Sequence, residues 1–471
     1  MEFERLKGWN VGKFYINLST YQISTFQPSN FYATFGTMLK KGDPKIIRAW
    51  TFYDWANSVY PLVISSAIFP IFYEKKTSYI FGGKLIDDVT VLGFHFKNTE
   101  FYSYVVALSY IIVAISSPML SGIADYSGSK KRFLQFFCYL GALSCMLLAL
   151  FNPQHLGYSM IALLFASIGY WGSLVFYNAY LPQIAEPKDQ DKVSARGFGM
   201  GYFGSSILLI IILVISVFNH FISVSQCFIL VGLWWIGFAQ ITFRNLPKGI
   251  AQTHKTATKG NFLTKGYSEL RVVFKDILTR KQLRRYLASY FMYNMGVQTV
   301  MIMAVPFAAK AIQWDSPDQK SKNLVVSILL IQFLGILGAF LISRLSRVIG
   351  NLKTIGTVIF LWIIICFGTY QFVQLPMHFY IVAASVGLVM GGIQAMSRST
   401  YSKMLPETND HASYFSFFDV CEKVGLAIGT ISFGLIEGLT GGIRNSILSV
   451  VVTFIIGFLL LLRVPKSNVV H

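Results

Sequence analysis

Four ionisable side chains stand inside runs of apolar residues: Asp54, Asp419, Glu422 and Lys423. A charge carried to the middle of a bilayer costs roughly 2.5–3.5 kcal/mol on insertion scales, so each needs a reason to be there. Asp419 and Lys423 are four residues apart, and Asp419 and Glu422 three, which puts all three on one face of a helix. Asp419 and Lys423 can neutralise each other. Glu422 is then left over, and a carboxyl that sheds and regains its proton near neutral pH suits proton-coupled chemistry. The same face also reads as a polar knot that holds this helix to a neighbour. Asp54 is the sharper case, because its nearest cation in sequence is Arg48. Asn57 lies one turn on, and Pro61 and Pro70 then interrupt the helix, freeing backbone carbonyls that can take a ligand. The alternative for Asp54 is an acid that caps the inner end of its helix.

Other polar groups at the same depth are Asn178, Asn294, Gln298, Gln332, Gln394 and Arg398. Asn57, Asn178, Asn294, Gln394 and Arg398 are the candidate contacts for a bound solute. Arg398 can clasp a carboxylate with two parallel hydrogen bonds. Snorkelling to lipid phosphate, or pairing across a gate with Gln394 four residues before it, is the favoured reading of Arg398. The spacing Tyr53-x-x-x-Asn57 returns as Tyr290-x-x-x-Asn294. Trp171, Tyr177 and Tyr180 are candidate cavity aromatics. The glycines at 197, 199, 201 and 204, and Gly425, Gly429 and Gly434, permit close approach of helices.

These residues must be positioned by membrane-spanning helices. The 471 residues are 54% hydrophobic and 13% charged, against about 25% charged in soluble domains, and mean hydropathy is +0.54. The apolar runs have the length of helices, not of barrel strands. Six spans are read between Trp50 and Phe243: about 50–73, 101–123, 133–151, 158–181 and 197–218, with a sixth ending near 243. Six more fall at about 286–311, 322–343, 354–374, 378–398, 413–437 and 444–463. The 40 Lys and Arg against 21 Asp and Glu give a net charge of +19. The cations sit mainly in alternate loops, the mark of cytoplasmic loops and of attraction to anionic lipid, so nucleic acid is not expected as a partner. The segment 74–100 is an outside loop long enough for a small hairpin, and its Lys75, Lys76, Lys84 and Lys97 are the main exception to the charge pattern. The five cysteines all lie in apolar segments and make no metal or disulfide pattern, so neither a metal nor a cofactor is expected.

Five segments follow. Residues 1–49 form a cytoplasmic tail, within which Met38-Leu-Lys-Lys-Gly-Asp-Pro-Lys reads as the start of a membrane protein that begins inside, with 1–37 a loose extension. Residues 50–243 form the first six-helix bundle. Residues 244–285 carry eleven Lys and Arg and read as a basic linker. Its 267–285 stretch spaces Leu270, Val273, Phe274, Ile277 and Leu278 as an amphipathic helix, lying on the membrane or packed against the bundles. Residues 286–463 form the second bundle and 464–471 a short cytoplasmic tail.

Between the second and third spans lies Ser121-Gly-Ile-Ala-Asp-Tyr-Ser-Gly-Ser-Lys-Lys-Arg132. Asp125 can pair with the cations Lys130, Lys131 and Arg132 or with a helix N-terminus across the loop. With Gly128 these residues are the gating candidates. A degenerate copy runs from Arg344 through Gly350 to Lys353; Gly128 and Gly350 are 222 residues apart, and Leu181-Pro182 and Leu405-Pro406 repeat at 224. Two landmarks at one offset point to a duplicated chain.

The loop at Gly122, Asp125 and Gly128 resembles the signature of the major facilitator superfamily, with its second glycine one residue early. Further stretches resemble one branch of it, the transporters akin to fungal vacuolar amino-acid effluxers and their bacterial relatives. They are Tyr53-Asp-Trp-Ala-Asn-Ser58, Ala124-Asp125 with Gly128, Asn178-Ala-Tyr-Leu-Pro182, Val193-Ser-Ala195 before Gly197 and Gly201, and Gly391-Gly-Ile-Gln-Ala-Met-Ser-Arg398. The resemblance implies an all-α membrane protein with twelve transmembrane helices in two pseudo-symmetric six-helix bundles. It implies solute efflux, with amino acids as the substrate class. The absence of the fungal proteins' long inserted loops favours a bacterial inner membrane with both termini cytoplasmic.

The expectation is a monomeric secondary transporter working by alternating access, its partners a small-molecule solute, protons or another coupling ion, and membrane lipids. A lipid or lysolipid flippase and a non-transporting receptor or scaffold on the same fold are the alternatives. No Gly-x-x-x-x-Gly-Lys-Ser/Thr, His-Glu-x-x-His or Gly-x-Ser-x-Gly pattern occurs, so neither an ATPase nor an intramembrane hydrolase is expected.

Overall fold

The computed structural model describes residues 41–81, 84–91, 93–219, 221–247, 262–314 and 316–465. The tail with Met38, residues 248–261 of the linker and residues 466–471 lie outside them.

The first span, α1, runs Pro44–Thr77. It starts before the expected Trp50, because Asp43 caps it by accepting from the Lys45 amide at 2.8 Å. Its two internal prolines act as expected. Tyr60–Ala67 winds as a π-helix with Pro61 near its start, and Phe69–Thr77 resumes as α-helix with Pro70 at its first turn. Two antiparallel hairpins follow where one was expected: β1 (Tyr79–Phe81) with β2 (Lys84–Ile86), and β3 (Asp88–Val91) with β4 (Phe94–Lys97). Then come α2 (Asn98–Ser127), α3 (Lys130–Leu147), α4 (Leu156–Asn178), α5 (Gln190–Ile212) and α6 (Val224–Asn245). Helix Phe262–Thr279 belongs to the linker. The second set is α7 (Lys281–Ala311), α8 (Pro317–Ile349), α9 (Asn351–Phe372), α10 (Pro376–Met404), α11 (His411–Thr440) and α12 (Ile443–Leu462). Among the described residues eleven helices are long and apolar enough to cross a membrane. Helix α11 has the length, 30 residues, and its run is broken by Asp419, Glu422 and Lys423.

The helices form two bundles that meet along α2 with α11, and along α5 with α8 and α10. One end of the molecule carries the hairpins; the other, the basic end, carries the turn from α2 to α3. There Gly128 ends α2 in the left-handed region at φ 63°, which a side chain resists. The amphipathic linker helix is packed against the bundles at this end. Val273 and Ile277 are buried, and Phe274 stacks on Phe417 at 5.6 Å. Arg280 and the Tyr414 hydroxyl both donate to Asp276. The Arg280 guanidinium, with Tyr414, holds that carboxyl below the ordinary aspartate range. The tie is therefore complete above the unfolded-state range and is lost as pH falls through the lowered one.

Small residues set the closest helix contacts. A Cβ on Gly391 of α10 would collide with the Gly335 carbonyl of α8, and one on Gly201 with the Ser58 hydroxyl. Gly429 abuts Thr299, whereas Gly425 makes ordinary contacts and Gly434 faces open space, so the expectation for Gly434 fails. Gly391→Val is expected to lower the melting temperature of the purified protein, as overpacking costs about 1–3 kcal/mol. Gly434→Ala should stay within about 0.5 kcal/mol of wild type in the same fluorescence melt.

Candidate functional site

Arg398, near the basic end of α10, crosses to the first bundle. Its guanidinium donates to Asp54 Oδ2 at 3.4 and 3.5 Å, to the Ser194 hydroxyl and carbonyl at 2.9 Å each, and to Asn178 Oδ1 at 3.3 Å. Its Cζ lies 4.2 Å from the Phe198 ring, 4.8 Å from Trp50 and 5.5 Å from Tyr177. The side chain is 4% exposed. Snorkelling is therefore excluded; charge pairing, hydrogen bonds and cation–π contact hold the guanidinium inside. Asp54 does not act as a helix cap. It takes its cation from α10, a partner that sequence neighbours cannot reveal, and accepts from the Tyr177 hydroxyl at 2.7 Å. Trp50 stacks on Tyr177 at 4.4 Å and donates to its carbonyl, fixing that ring. Gly197 of α5 passes so near that a Cβ there would collide with Asp54 Oδ2.

Above this floor a cavity of about 240 Å³ extends between the bundles toward the hairpin end. Asp54, Asn178, Asn294, Gln298, Gln332, Gln394, Arg398 and Glu422 line it. Gln394 accepts from the Tyr202 hydroxyl at 2.6 Å, a second bond between bundles. Asn57 is absent from the lining. It is buried, its side-chain oxygen accepts from the Ser58 hydroxyl, and among the described residues its amide nitrogen finds no partner. It is thereby removed from the solute contacts, and Ser58 takes the cavity position. The repeat of Tyr53–Asn57 in Tyr290–Asn294 is not a repeat of position, since Tyr290 and Asn294 line the cavity and Tyr53 and Asn57 do not. Of the expected aromatics Trp171 lines it, Tyr177 holds Asp54, and Tyr180 is buried, donating to the Pro247 carbonyl.

On α11, Lys423 pairs with Asp419 at 2.7 Å, as its spacing predicts. Lys423 also sits 3.7 Å from the centre of the Trp171 ring on α4, again across the bundle boundary. Glu422 is not left alone. Gln298 donates to its Oε1 at 2.7 Å, and Lys423 stands 3.7 Å from its Oε2.

The basic end is closed by two further clusters. Asp125 pairs with Lys130 at 2.9 Å and accepts from the Ala412 and Ser413 amides at the start of α11, at 3.3 and 2.7 Å. Both expected partners, the loop cation and a helix N-terminus, are thus engaged at once. Lys130 also donates to the Asn409 carbonyl at 2.8 Å. Lys131 reaches the Leu246 carbonyl at 2.7 Å, and Arg132 is exposed. The second cluster was missed. Asp191, at the start of α5, pairs with Lys403 at 2.7 Å and accepts from Asn351 at 2.8 Å and Ser346 at 3.1 Å, around the turn from α8 to α9. The degenerate copy at Gly350 marked its place, but the acid had moved from the loop to the facing helix. At the hairpin end, Lys310–Glu437 joins two helices of one bundle only. Among the described residues no group of His, Cys, Asp and Glu could hold a metal ion.

A sequence model of the family described as Vacuole effluxer Atg22 like matches residues 42–469. The MFS-type transporter YxiO of Bacillus subtilis (strain 168) is 29% identical over 430 residues, covering 89% of this chain and 95% of the relative. Autophagy-related protein 22 of Coccidioides immitis (strain RS) is 23% identical over 510 residues, covering 85% and 83%. Among solved structures, the major facilitator transporter FucP in its outward conformation aligns with a TM-score of 0.65 at 13% identity, over 90% of this chain and 99% of that one. The human organic anion transporter MFSD10 aligns with a TM-score of 0.65 at 10% identity, over 90% and 100%. These two establish the fold.

Removing Lys130 leaves Asp125 a buried charge without its cation, a loss of about 3–5 kcal/mol for such pairs. Lys130→Met is expected to lower the melting temperature markedly. Lys130→Met with Asp125→Asn should recover part of the loss, as read by fluorescence melting.

Proposed function

This chain belongs to the Vacuole effluxer Atg22-like family, and we propose that it is a proton-coupled secondary transporter that exports a small polar solute, an amino acid or close analogue, by alternating access. The chain is a multi-pass membrane transporter of the major facilitator fold. Its substrate, coupling and direction are the proposal. The observation that carries the reading is the ion pair between Asp54 of α1 and Arg398 of α10 at the floor of the cavity. One bond both faces the solute and ties the bundles at the basic end.

A proton on Asp54 removes the charge that Arg398 pairs with, and so weakens the closed end. In the form described here the cavity reaches toward the hairpin end. With the basic end cytoplasmic by its cations, a proton taken up from outside favours opening inward. Loss of that proton inside, and binding of solute there, favours re-forming the pair and returning outward. A proton thus enters as a solute leaves. In this reading both termini would lie inside, and a bacterial cell membrane suits a chain without long inserted loops. The polar floor supports a polar solute over a lipid.

Proteoliposomes on a solid-supported membrane test this with a panel of amino acids and small peptides, with and without a pH gradient. Wild type should give a saturable current that depends on the gradient. Asp54→Asn should reduce it by about tenfold or more, the effect of losing on the order of 1.4 kcal/mol. Arg398→Lys should fall similarly, because an ammonium cannot reproduce the forked contacts of the guanidinium. An unchanged current in Asp54→Asn would assign that residue a structural role only.

A further inference from the structure

We infer that the solute carries a protonated amine, that its ammonium sits against Glu422, and that solute and proton compete for this one carboxylate. This rests on the transporter reading above and names the chemical class its cavity accepts.

Asp54, Glu422 and Arg398 line the cavity, and Asp419 and Lys423 stand behind its wall beside Glu422. Asp54 is matched by Arg398 and Asp419 by Lys423. Glu422 shares Lys423 with Asp419, at 3.7 Å. Lys423 is a full ångström farther from Glu422 than from Asp419, and the face of Trp171 also holds it. Arg398, the cation among the described lining residues, is spent on Asp54, Ser194 and Asn178 and so is not free for an anionic solute.

Glu422 shares the cavity wall with Tyr110, Tyr170, Trp171, Tyr290 and Phe418. Tyr110 and Tyr170 meet Trp171 edge-on at 5.8 and 4.8 Å, and Tyr290 stacks on Phe418 at 4.0 Å. Ring faces beside a carboxylate make the chemistry that recognises an ammonium. A second observation points the same way. Asn294 is 5% exposed, lines this cavity, and its Nδ2 has no hydrogen-bond partner. It stands four residues before Gln298, the group that orients Glu422, so the two are about 6 Å apart along α7. A buried donor without an acceptor calls for an oxygen on the ligand. The site therefore suits an amine with a carbonyl or carboxylate oxygen a few ångströms away.

Glu422 cannot hold a proton and pair with an ammonium together. The groups that face it are Asp419 and Lys423 on its own helix, Tyr110 from α2, Tyr170 from α4, and Tyr290 from α7. Of these only Lys423 is cationic. When Glu422 holds a proton, binding of an ammonium displaces it to water, a release that adds to the Asp54 proton of the transport reading.

The test uses the full-length protein in detergent and three probes of one side chain, valinamide (cation), valine (zwitterion) and N-acetylvaline (anion). Calorimetry in buffers of different ionisation enthalpy reads affinity and proton release together. Valinamide and valine should bind with release of protons, and N-acetylvaline should not bind. Affinity for valinamide, whose amine is largely protonated at neutral pH and below, should weaken as pH is lowered from 7 to 5. Glu422→Gln should lose about tenfold or more in that affinity, along with the proton release, while a melt reports whether the variant is folded. N-acetylvaline binding as well as valinamide, binding unchanged in Glu422→Gln, or no binding of any probe overturns the inference. Proteoliposome currents with anionic or uncharged solutes would in that case leave the transporter reading standing. Silence across the whole amino-acid panel is instead the failure of that reading.

Discussion

A guanidinium cannot sit in the middle of a helix bundle without a full set of partners, and Arg398 has them: a carboxylate, a hydroxyl, two carbonyl oxygens and three ring faces. Apart from its own helix, all of those partners belong to the first bundle. The two bundles are therefore joined where desolvation makes a lost contact most expensive. Much of the neighbouring sequence follows from this constraint. Gly197 lacks a side chain because Asp54 passes there, Trp50 is stacked to fix Tyr177, and Tyr177 is fixed to hold Asp54. The bond also faces the cavity, so a ligand or proton that alters it alters the join between bundles.

The two closures at the basic end share a plan and differ in chemistry. In each, the turn between the second and third helices of one bundle meets the start of the fifth helix of the other. At the first the turn supplies the acid, Asp125, and the helix supplies backbone amides. At the second the helix supplies the acid, Asp191, and the turn supplies Asn351 and Ser346. Either arrangement joins a negative group to donors. The duplicated halves have kept the join while exchanging the side that carries the charge. Helix Phe262–Thr279 then packs over the region where α2 meets α11, with Phe274 on Phe417 and Asp276 bonded to Tyr414.

Helix α11 gathers the remaining charges. Lys423 neutralises Asp419 through Oδ1 and lies on Trp171, while Asp419 Oδ2 has no hydrogen-bond partner among the described residues. Glu422 has an amide donor and a distant cation. It is bonded well enough to be oriented and not well enough to be neutralised. That intermediate condition suits a group whose charge must be met by something that comes and goes.

Sequence by itself determined the membrane class, the duplicated halves, the two proline breaks in α1, the Asp419–Lys423 pair and both partners of Asp125. Each of these follows from spacing along one helix or across one short turn, where the backbone fixes who can meet. It could not determine that Arg398 reaches Asp54, that Asp191 replaces the missing acid of the second turn, or that Asn57 faces away from the cavity while Ser58 faces it. Asp54 and Arg398 are 344 residues apart, and no periodicity relates positions on helices of different bundles. Their meeting depends on how α1 and α10 are placed against α5, which glycines such as 197 and 201 permit by letting helices approach. Helix rotation decided the rest. A turn of about 100° separates Asn57 from Ser58, and only the packing of α1 among its neighbours sets which of them looks into the cavity.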